Sequence, residues 1–253
     1  MITKPAKQRA DVLLCERGLA PSRARAQSLI MAGEAFADDK RIDKPGALLS
    51  SDVALRVAPR RRFVSRGGEK LDGALTAFGE RFADLAGCVA VDIGASTGGF
   101  TDCLLQRGAA KIYAIDVGYG QLDDRLRADE RVVSRERTNA RDLEPGAFAE
   151  PIDLVVVDAS FIGLAKLLPA IVRVLPRGGE LVALVKPQFE AGRAEVSRGR
   201  GVIRDEAVRE QTIESVRRSV TEAGFEVLGE VDSPLPGPKG NRERFLYARH
   251  RSG

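Results

Sequence analysis

The sequence predicts an α/β protein in two parts, a small α+β module followed by a larger, doubly wound sheet of seven strands. Three observations predict it. From about residue 86, short apolar runs rich in Val and Ile alternate with helical stretches, the pattern of parallel strands covered on both faces. The last two runs are joined without room for a helix, so the final strand is expected to run antiparallel. Charge is also divided. Residues 1–66 hold 14 Lys and Arg against 7 Asp and Glu, a net of +7, while the whole chain is +4, which leaves −3 for the rest. A basic front on a mildly acidic body suggests a separate polyanion-binding module.

In the front part, "RADVLLCERGLAPSRARAQSLIMAG" reads as two short helices. Val12, Leu13 and Leu14 supply the apolar face of the first, and Gly18 closes it. Ser22 is the expected N-cap of the second, where Ala26, Leu29 and Ile30 face one way and Arg23 and Arg25 another. "EAFAD", "KRID" and "DVALRV" follow as short strands separated by Asp, Lys, Pro and Gly turn residues. The module is expected over residues 8–57. "APRRRFVSRGGEKL" then changes character and reads as a basic linker over 58–68, leaving 69–250 for the body.

Length and composition narrow the function classes. The 253 residues suit one large domain plus a small one. No run approaches the roughly 18 apolar residues of a membrane span. The start, "MITKPAKQRADVLL", is basic without an apolar signal core, so a cytoplasmic protein with no membrane partner is expected. Cys15, Cys88 and Cys103 show no C-x-x-C spacing and read as buried free thiols. His250 is the single histidine, which speaks against a Ser-His-Asp triad or a His-rich metal site.

The body's strands are expected at "CVAVDIG", "KIYAIDVG", "RVVSRE", "IDLVVVDA", "ELVALVK", "GFEVLGEV" and "RERFLYAR", with the helix "DEAVREQTIESVRRSVTEAG" before the last two. The first strand runs into "VDIGASTGGF", which puts Asp92, Gly94, Ser96, Gly98, Gly99 and Phe100 at the carboxyl edge. Glycines there let a backbone approach a ligand closely. The spacing is neither G-x-G-x-x-G nor G-x-x-x-x-G-K-S/T, which disfavours pyrophosphate and triphosphate cradles. An Asp just before the loop favours a cationic ligand instead. Asp116 ends the second strand and suits two ribose hydroxyls, and Asn139, Ala140 and Arg141 of "TNARDL" are placed to edge an adenine. Together these fit S-adenosylmethionine better than NAD, on the seven-stranded class I methyltransferase arrangement.

Ligands of open α/β sheets sit beyond the carboxyl ends of the strands. Asp158 ends "LVVVD" and Lys186 ends "LVALVK" on that edge. Lys70 lies at the start of the helix leading into the sheet, and Glu243 opens the antiparallel last strand, flanked by Arg242 and Arg244. Two lysines and two carboxylates therefore converge near the cofactor. A lysine at the mouth of an apolar strand is costly without partners, and mutual pairing answers that cost. A purely structural ion network at the sheet edge is the competing explanation.

The constellation resembles the Lys-Asp-Lys-Glu tetrad of FtsJ-like ribose 2′-O-methyltransferases. The front module, over about residues 8–57, resembles the S4 RNA-binding domain, and the combination resembles the TlyA family over nearly the whole chain. The motifs are "SRGGEKL", "DIGASTGGFTDCLL", "DASFI", "KPQFE" and "PGPKGN". The resemblance implies transfer of methyl from S-adenosylmethionine, without a metal, to a cytidine ribose hydroxyl of ribosomal RNA, free or within a ribosomal subunit. It implies Lys70, Asp158, Lys186 and Glu243 as catalytic residues. RNA contacts are expected from Arg9, Ser22, Arg23, Arg25 and Lys40, and from Arg60, Arg61, Arg62 and Arg66 of the linker. Lys186 would act either as the base for the hydroxyl or as a charge that steers it. Three rivals stand beside this reading: a base methyltransferase, an RNA-binding protein with a decayed catalytic body, and the membrane-lytic activity suggested by haemolysin names in the family.

Overall fold

The computed structural model describes residues 6–58, 62–191 and 201–252; the expected contacts Arg60 and Arg61 lie outside them. The chain divides into two compact units, Met1–Arg61 and Arg62–Gly253.

The first unit contains β1 (Lys7–Arg9), α1 (Ala10–Glu16), α2 (Arg23–Met31), β2 (Ala35–Ala37), β3 (Lys40–Arg41), β4 (Leu48–Ser50) and β5 (Leu55–Val57). Ala10 and Leu14 of α1 pack on Ala26, Leu29 and Ile30 of α2, with Ala35 and Ile42 closing a small core. Ser22 caps α2 by accepting the Arg25 N–H at 3.2 Å. Strand β2 lies between β3 and β5, while β1 and β4 form a separate antiparallel pair. That pair was not anticipated from sequence. Its members read "KQR" and "LLS", too short for a period-2 pattern to register.

The second unit starts earlier than the expected boundary. Phe63 is buried in its core, the Val64 N–H donates to Asp102 Oδ2 at 2.8 Å, and α3 (Arg66–Ala77) begins at Arg66. Residues 62–68 are thus part of the body rather than of a linker over 58–68.

All seven expected strands are present: β6 (Val89–Ile93), β7 (Lys111–Ile115), β8 (Val132–Arg135), β9 (Leu154–Val157), β10 (Glu180–Val185), β11 (Phe225–Asp232) and β12 (Arg244–His250). Their order is β11-β12-β10-β9-β6-β7-β8. Strand β12 is antiparallel to both neighbours, and the other pairings are parallel. Alternate residues of each strand feed two separate cores. Leu71 and Leu75 of α3 and Leu104 of α4 (Gly99–Gln106) cover one face, on Ala90, Val156 and Phe245. Ile171 of α5 (Leu168–Val174) and Ile213, Val216 and Val220 of α6 (Glu206–Glu222) cover the other, on Val91, Val155 and Leu246. Each fully buried Leu, Val or Ile contributes about 1.5–3 kcal/mol, so burial on both faces makes the sheet a rigid platform whose carboxyl edge carries the site.

Candidate active site

Register decides which side chains meet at that edge. Pairing of Ala183 with Val157 brings Asp158 level with the end of β10. Pairing of Val185 with Arg244 sets Lys186 and Glu243 opposite each other, just beyond the antiparallel ladder. Lys70 reaches the same place from α3. The structure brings all four together as two linked pairs. Lys70 Nζ lies 2.5 Å from Glu243 Oε2, and Lys186 Nζ lies 2.6 Å from Asp158 Oδ1. Lys186 also donates to Ser160 Oγ at 2.9 Å and to the Asp158 carbonyl at 3.1 Å. Gln188 Nε2 donates to Glu243 Oε1 at 3.2 Å.

Lys70, Lys186 and Glu243 are buried, Glu243 to 2% exposure. Burial pushes the Asp158 carboxyl above the usual carboxylate range. Lys186 and then Lys70 pull it back, and Glu243 adds to the upward push. The two pairs therefore share one electrostatic field. Arg242 and Arg244 do not compete for it. Strand alternation turns them to the opposite face, where they meet Glu206, Glu210 and Asp232.

Beside the tetrad lies a cavity of about 670 Å³ lined by Gly94, Ser96, Asp116, Asn139, Ala140, Arg141 and Asp158, among others. Asp116 is oriented by its own backbone surroundings: Oδ2 accepts the Ser96 N–H at 2.8 Å and Oδ1 the Gly118 N–H at 2.7 Å. Each oxygen keeps a further lone pair for a ligand. At Gly94, with φ +85°, a Cβ would come within 3.0 Å of the Asp158–Ala159 backbone, so glycine is needed where the first and fourth strands open the cavity. These groups fit a nucleoside carrying an amino-acid side arm.

Four residues expected in the cofactor loop do not line the cavity, and each has a packing reason. Asp92 is fully buried and holds the start of α4, its Oδ2 accepting from the Thr101 N–H at 2.9 Å and the Thr101 hydroxyl at 2.7 Å. Burial pushes its carboxyl up to about 7 against the pull of Thr101. Gly98, with φ +93°, leaves room for Leu122 and Leu126, and Gly99 lets α4 approach Ser65 and Gly68. Phe100 stacks on Phe245 in the core, with ring centroids 5.9 Å apart.

Several site groups escaped sequence reasoning. Ser160 and Gln188 stand inside "DASFI" and "KPQFE", yet only the charged members of those motifs drew notice. Phe161 was missed too. It lines the cavity with φ +66° and 90% exposure, and it packs against Phe189 at 5.0 Å between centroids. Of the expected RNA contacts, Arg25 and Lys40 are exposed, while Arg9 and Arg23 meet Asp11. In the second unit, Arg62 pairs with Asp72 and stacks over Phe63, and Arg66 donates to the Pro236 carbonyl at 2.9 Å.

Residues 63–251 match the FtsJ-like methyltransferase family. The chain is 49% identical to the 16S/23S rRNA (cytidine-2′-O)-methyltransferase TlyA of Mycobacterium tuberculosis, over 96% of this chain and 90% of that one. The chain belongs to the TlyA group of FtsJ-like methyltransferases. A solved structure from Streptococcus thermophilus carrying a hemolysin name is similar to this TlyA-type chain at 41% identity and TM-score 0.74, covering 98% of this chain and 90% of the other. The N-methyltransferase NodS of Bradyrhizobium japonicum shares the fold, with TM-score 0.52 at 19% identity over 74% of this chain and 98% of its own. Among the described residues, no helix is long and apolar enough to cross a membrane, and no group of His, Cys, Asp and Glu could hold a metal ion.

Proposed function

We propose that this methyltransferase uses S-adenosylmethionine to methylate a ribose 2′-hydroxyl, that of a cytidine in 16S or 23S ribosomal RNA, the substrate named for the M. tuberculosis relative. The observation that carries the reading is the meeting of Lys70, Asp158, Lys186 and Glu243 beside the cavity that Asp158 and Asp116 both line. Asp116 would hold the ribose hydroxyls of the cofactor, Gly94 and Ser96 its amino-acid portion, and Asn139 to Arg141 the edge of its adenine. When bound, S-adenosylmethionine supplies a methyl group on a sulfonium, a good leaving group. The protein's task is then to aim a poorly acidic hydroxyl. One O–C bond forms, one S–C bond breaks, and the hydroxyl proton must leave.

Lys186 is the residue for that aim. Its Nζ donates to the Asp158 carbonyl and to Ser160 Oγ and lies 2.6 Å from the Asp158 carboxylate, surroundings that suit an ammonium with its charge paired. This favours a cation that orients the oxygen lone pair, with the proton passing to solvent, over a neutral base. Asp158 and Ser160 position Lys186. Lys70, anchored by Glu243, stabilises charge developing on the oxygen. The first unit we read as an S4-type module that holds RNA while the body reacts.

Tritium transfer from labelled S-adenosylmethionine to ribosomal RNA, with mapping of the methylated nucleotide, tests the reading. Lys186→Ala should abolish transfer while leaving cofactor and RNA affinity nearly unchanged, because its contact matters most in the transition state. Lys186→Arg keeps the charge and cannot deprotonate. Steering predicts partial activity with little pH dependence above neutrality; an Arg variant as inactive as Ala would assign Lys186 as the base. Transfer to a base, or full turnover by Lys186→Ala, would overturn the assignment.

A further inference from the structure

The first unit holds a carboxylate that the proposed reaction does not use. Asp11 lies in the first turn of α1 with 0% exposure. It is covered by the groups it binds rather than by depth. Arg9 grips it with two bonds, Nε to Oδ1 at 3.0 Å and Nη2 to Oδ2 at 2.9 Å. Arg23 donates Nε to Oδ2 at 3.0 Å, and Gln27 donates Nε2 to the same oxygen at 2.8 Å. One carboxylate thus ties the start of α1 to the first two turns of α2.

Both guanidiniums remain largely outside, with side-chain exposures of 44% for Arg9 and 56% for Arg23. Among the described residues, Arg23 spends only its Nε on a side-chain partner, which leaves its two Nη groups without one on a half-exposed side chain. The turn after β3 is fitted to the same cluster. The Pro45 carbonyl accepts the Asp11 N–H at 3.1 Å, and a Cβ on Gly46 would come 3.1 Å from Arg9 Nη1. Two cations held on one anion carry a net charge of +1. A bare surface pair would carry more charge but would have to freeze two long side chains on binding.

Resting on the reading of the substrate as RNA, we infer that Asp11 is a positioning residue that presets Arg9 and Arg23 as a clamp for an RNA phosphodiester. An arginine fork binds phosphate oxygens best when its plane is already fixed. The inference has an unusual sign. Asp11→Asn adds one positive charge to a basic surface, so charge alone predicts tighter RNA binding and an equal or steeper salt dependence. Preset geometry predicts weaker binding and a shallower one.

The test titrates the full chain with total bacterial ribosomal RNA across about 50–200 mM salt. Asp11→Asn should weaken binding about tenfold and lower the log–log salt slope by about 0.7–1.8, the loss of one or two phosphate contacts. S-adenosylmethionine affinity, read by calorimetry on the same sample, should not move. Equal or tighter binding by Asp11→Asn would overturn the clamp. Should Asp11→Asn unfold the first unit, Arg23→Lys decides. It conserves charge at a half-exposed site, and only preset geometry predicts a lost phosphate contact; an unchanged slope would again overturn the inference. If the wild-type chain fails to bind RNA, the substrate reading fails with it, which separates that failure from one confined to Asp11.

Discussion

Replacing Lys70 by Met should destabilise the body by about 3–5 kcal/mol, the usual cost of leaving one member of a buried ion pair alone. The structure sets that magnitude. The side chains of Lys70 and Glu243 are only 9% and 1% exposed, and their charged atoms are 2.5 Å apart. Without Lys70, Glu243 keeps only the neutral Gln188 donor at 3.2 Å as a side-chain partner among the described residues. Glu243→Gln should cost less, because an amide oxygen still accepts from Lys70. The double variant Lys70→Met/Glu243→Gln removes both charges and should recover most of the loss, giving a coupling energy of about 2 kcal/mol or more. Urea unfolding of the four proteins measures this directly. Methyl transfer should stay abolished in the double variant even where stability returns, since a neutral pair holds no developing negative charge. Additive stabilities, with coupling under about 0.5 kcal/mol, would refute the buried-pair reasoning. Activity returning along with stability would reduce the pair to a structural closure of the sheet edge.

Three further outcomes follow from the same geometry. Asp116→Ala should weaken S-adenosylmethionine binding by about 2 kcal/mol or more, through lost charged hydrogen bonds, and calorimetry showing unchanged affinity in a folded variant would remove Asp116 from the cavity's function. A fragment beginning at Arg62 should fold and bind the cofactor but bind ribosomal RNA with a shallower salt slope; equal slopes would assign all RNA contact to the body. Asp92 holds its proton to about pH 7 in the fold but only to about 3.9 when unfolded. The folded state binds more protons in that window, so stability of the ligand-free chain should fall as pH rises from about 4 to 7, by up to about 4 kcal/mol. Asp158 is shifted the same way, so Asp92→Asn should shrink the slope, not reverse it, and an unchanged slope in thermal melts would show Asp92 ionised throughout.

The sheet was legible because its central strands are largely apolar runs buried on both faces, as "LVVV" of β9 and "ELVALV" of β10 show. The tetrad was legible because a charge at the end of such a run has few structural excuses. The glycine loop was legible only in part. Gly94 admits close backbone approach at the cavity, whereas Gly98 and Gly99 admit Leu122, Leu126 and Ser65. Both uses demand a missing Cβ, and sequence carries no sign of what fills the space. Phe63 was hidden for a related reason. Three arginines precede it, and a single buried aromatic at the end of a charge run has no period to reveal it. Ser160 and Gln188 are neutral, so no burial cost drew attention to them.

The arginines flanking Glu243 have a role that their charge alone conceals. A slip of β12 by one residue against β10 would turn Glu243 to the α6 face and leave Lys70 buried without its carboxylate. What opposes the slip lies on that other face. Arg242 reaches Glu206 at 2.8 Å and Asp232 at 3.0 Å, and Arg244 reaches Asp232 at 2.8 Å and Glu210 at 2.9 Å. Exposed pairs of this kind each contribute little. Between them, however, Arg209 is 2% exposed, donates to the Arg242 carbonyl at 3.2 Å and pairs with Glu206, Glu210 and Asp232. A buried guanidinium stripped of these partners is costly, so the network tolerates one register and penalises its neighbour. The alternation Arg242-Glu243-Arg244 is therefore a single device with two faces. One face locks the last strand in place, and the other delivers Glu243 to Lys70 at the edge where the hydroxyl must be aimed.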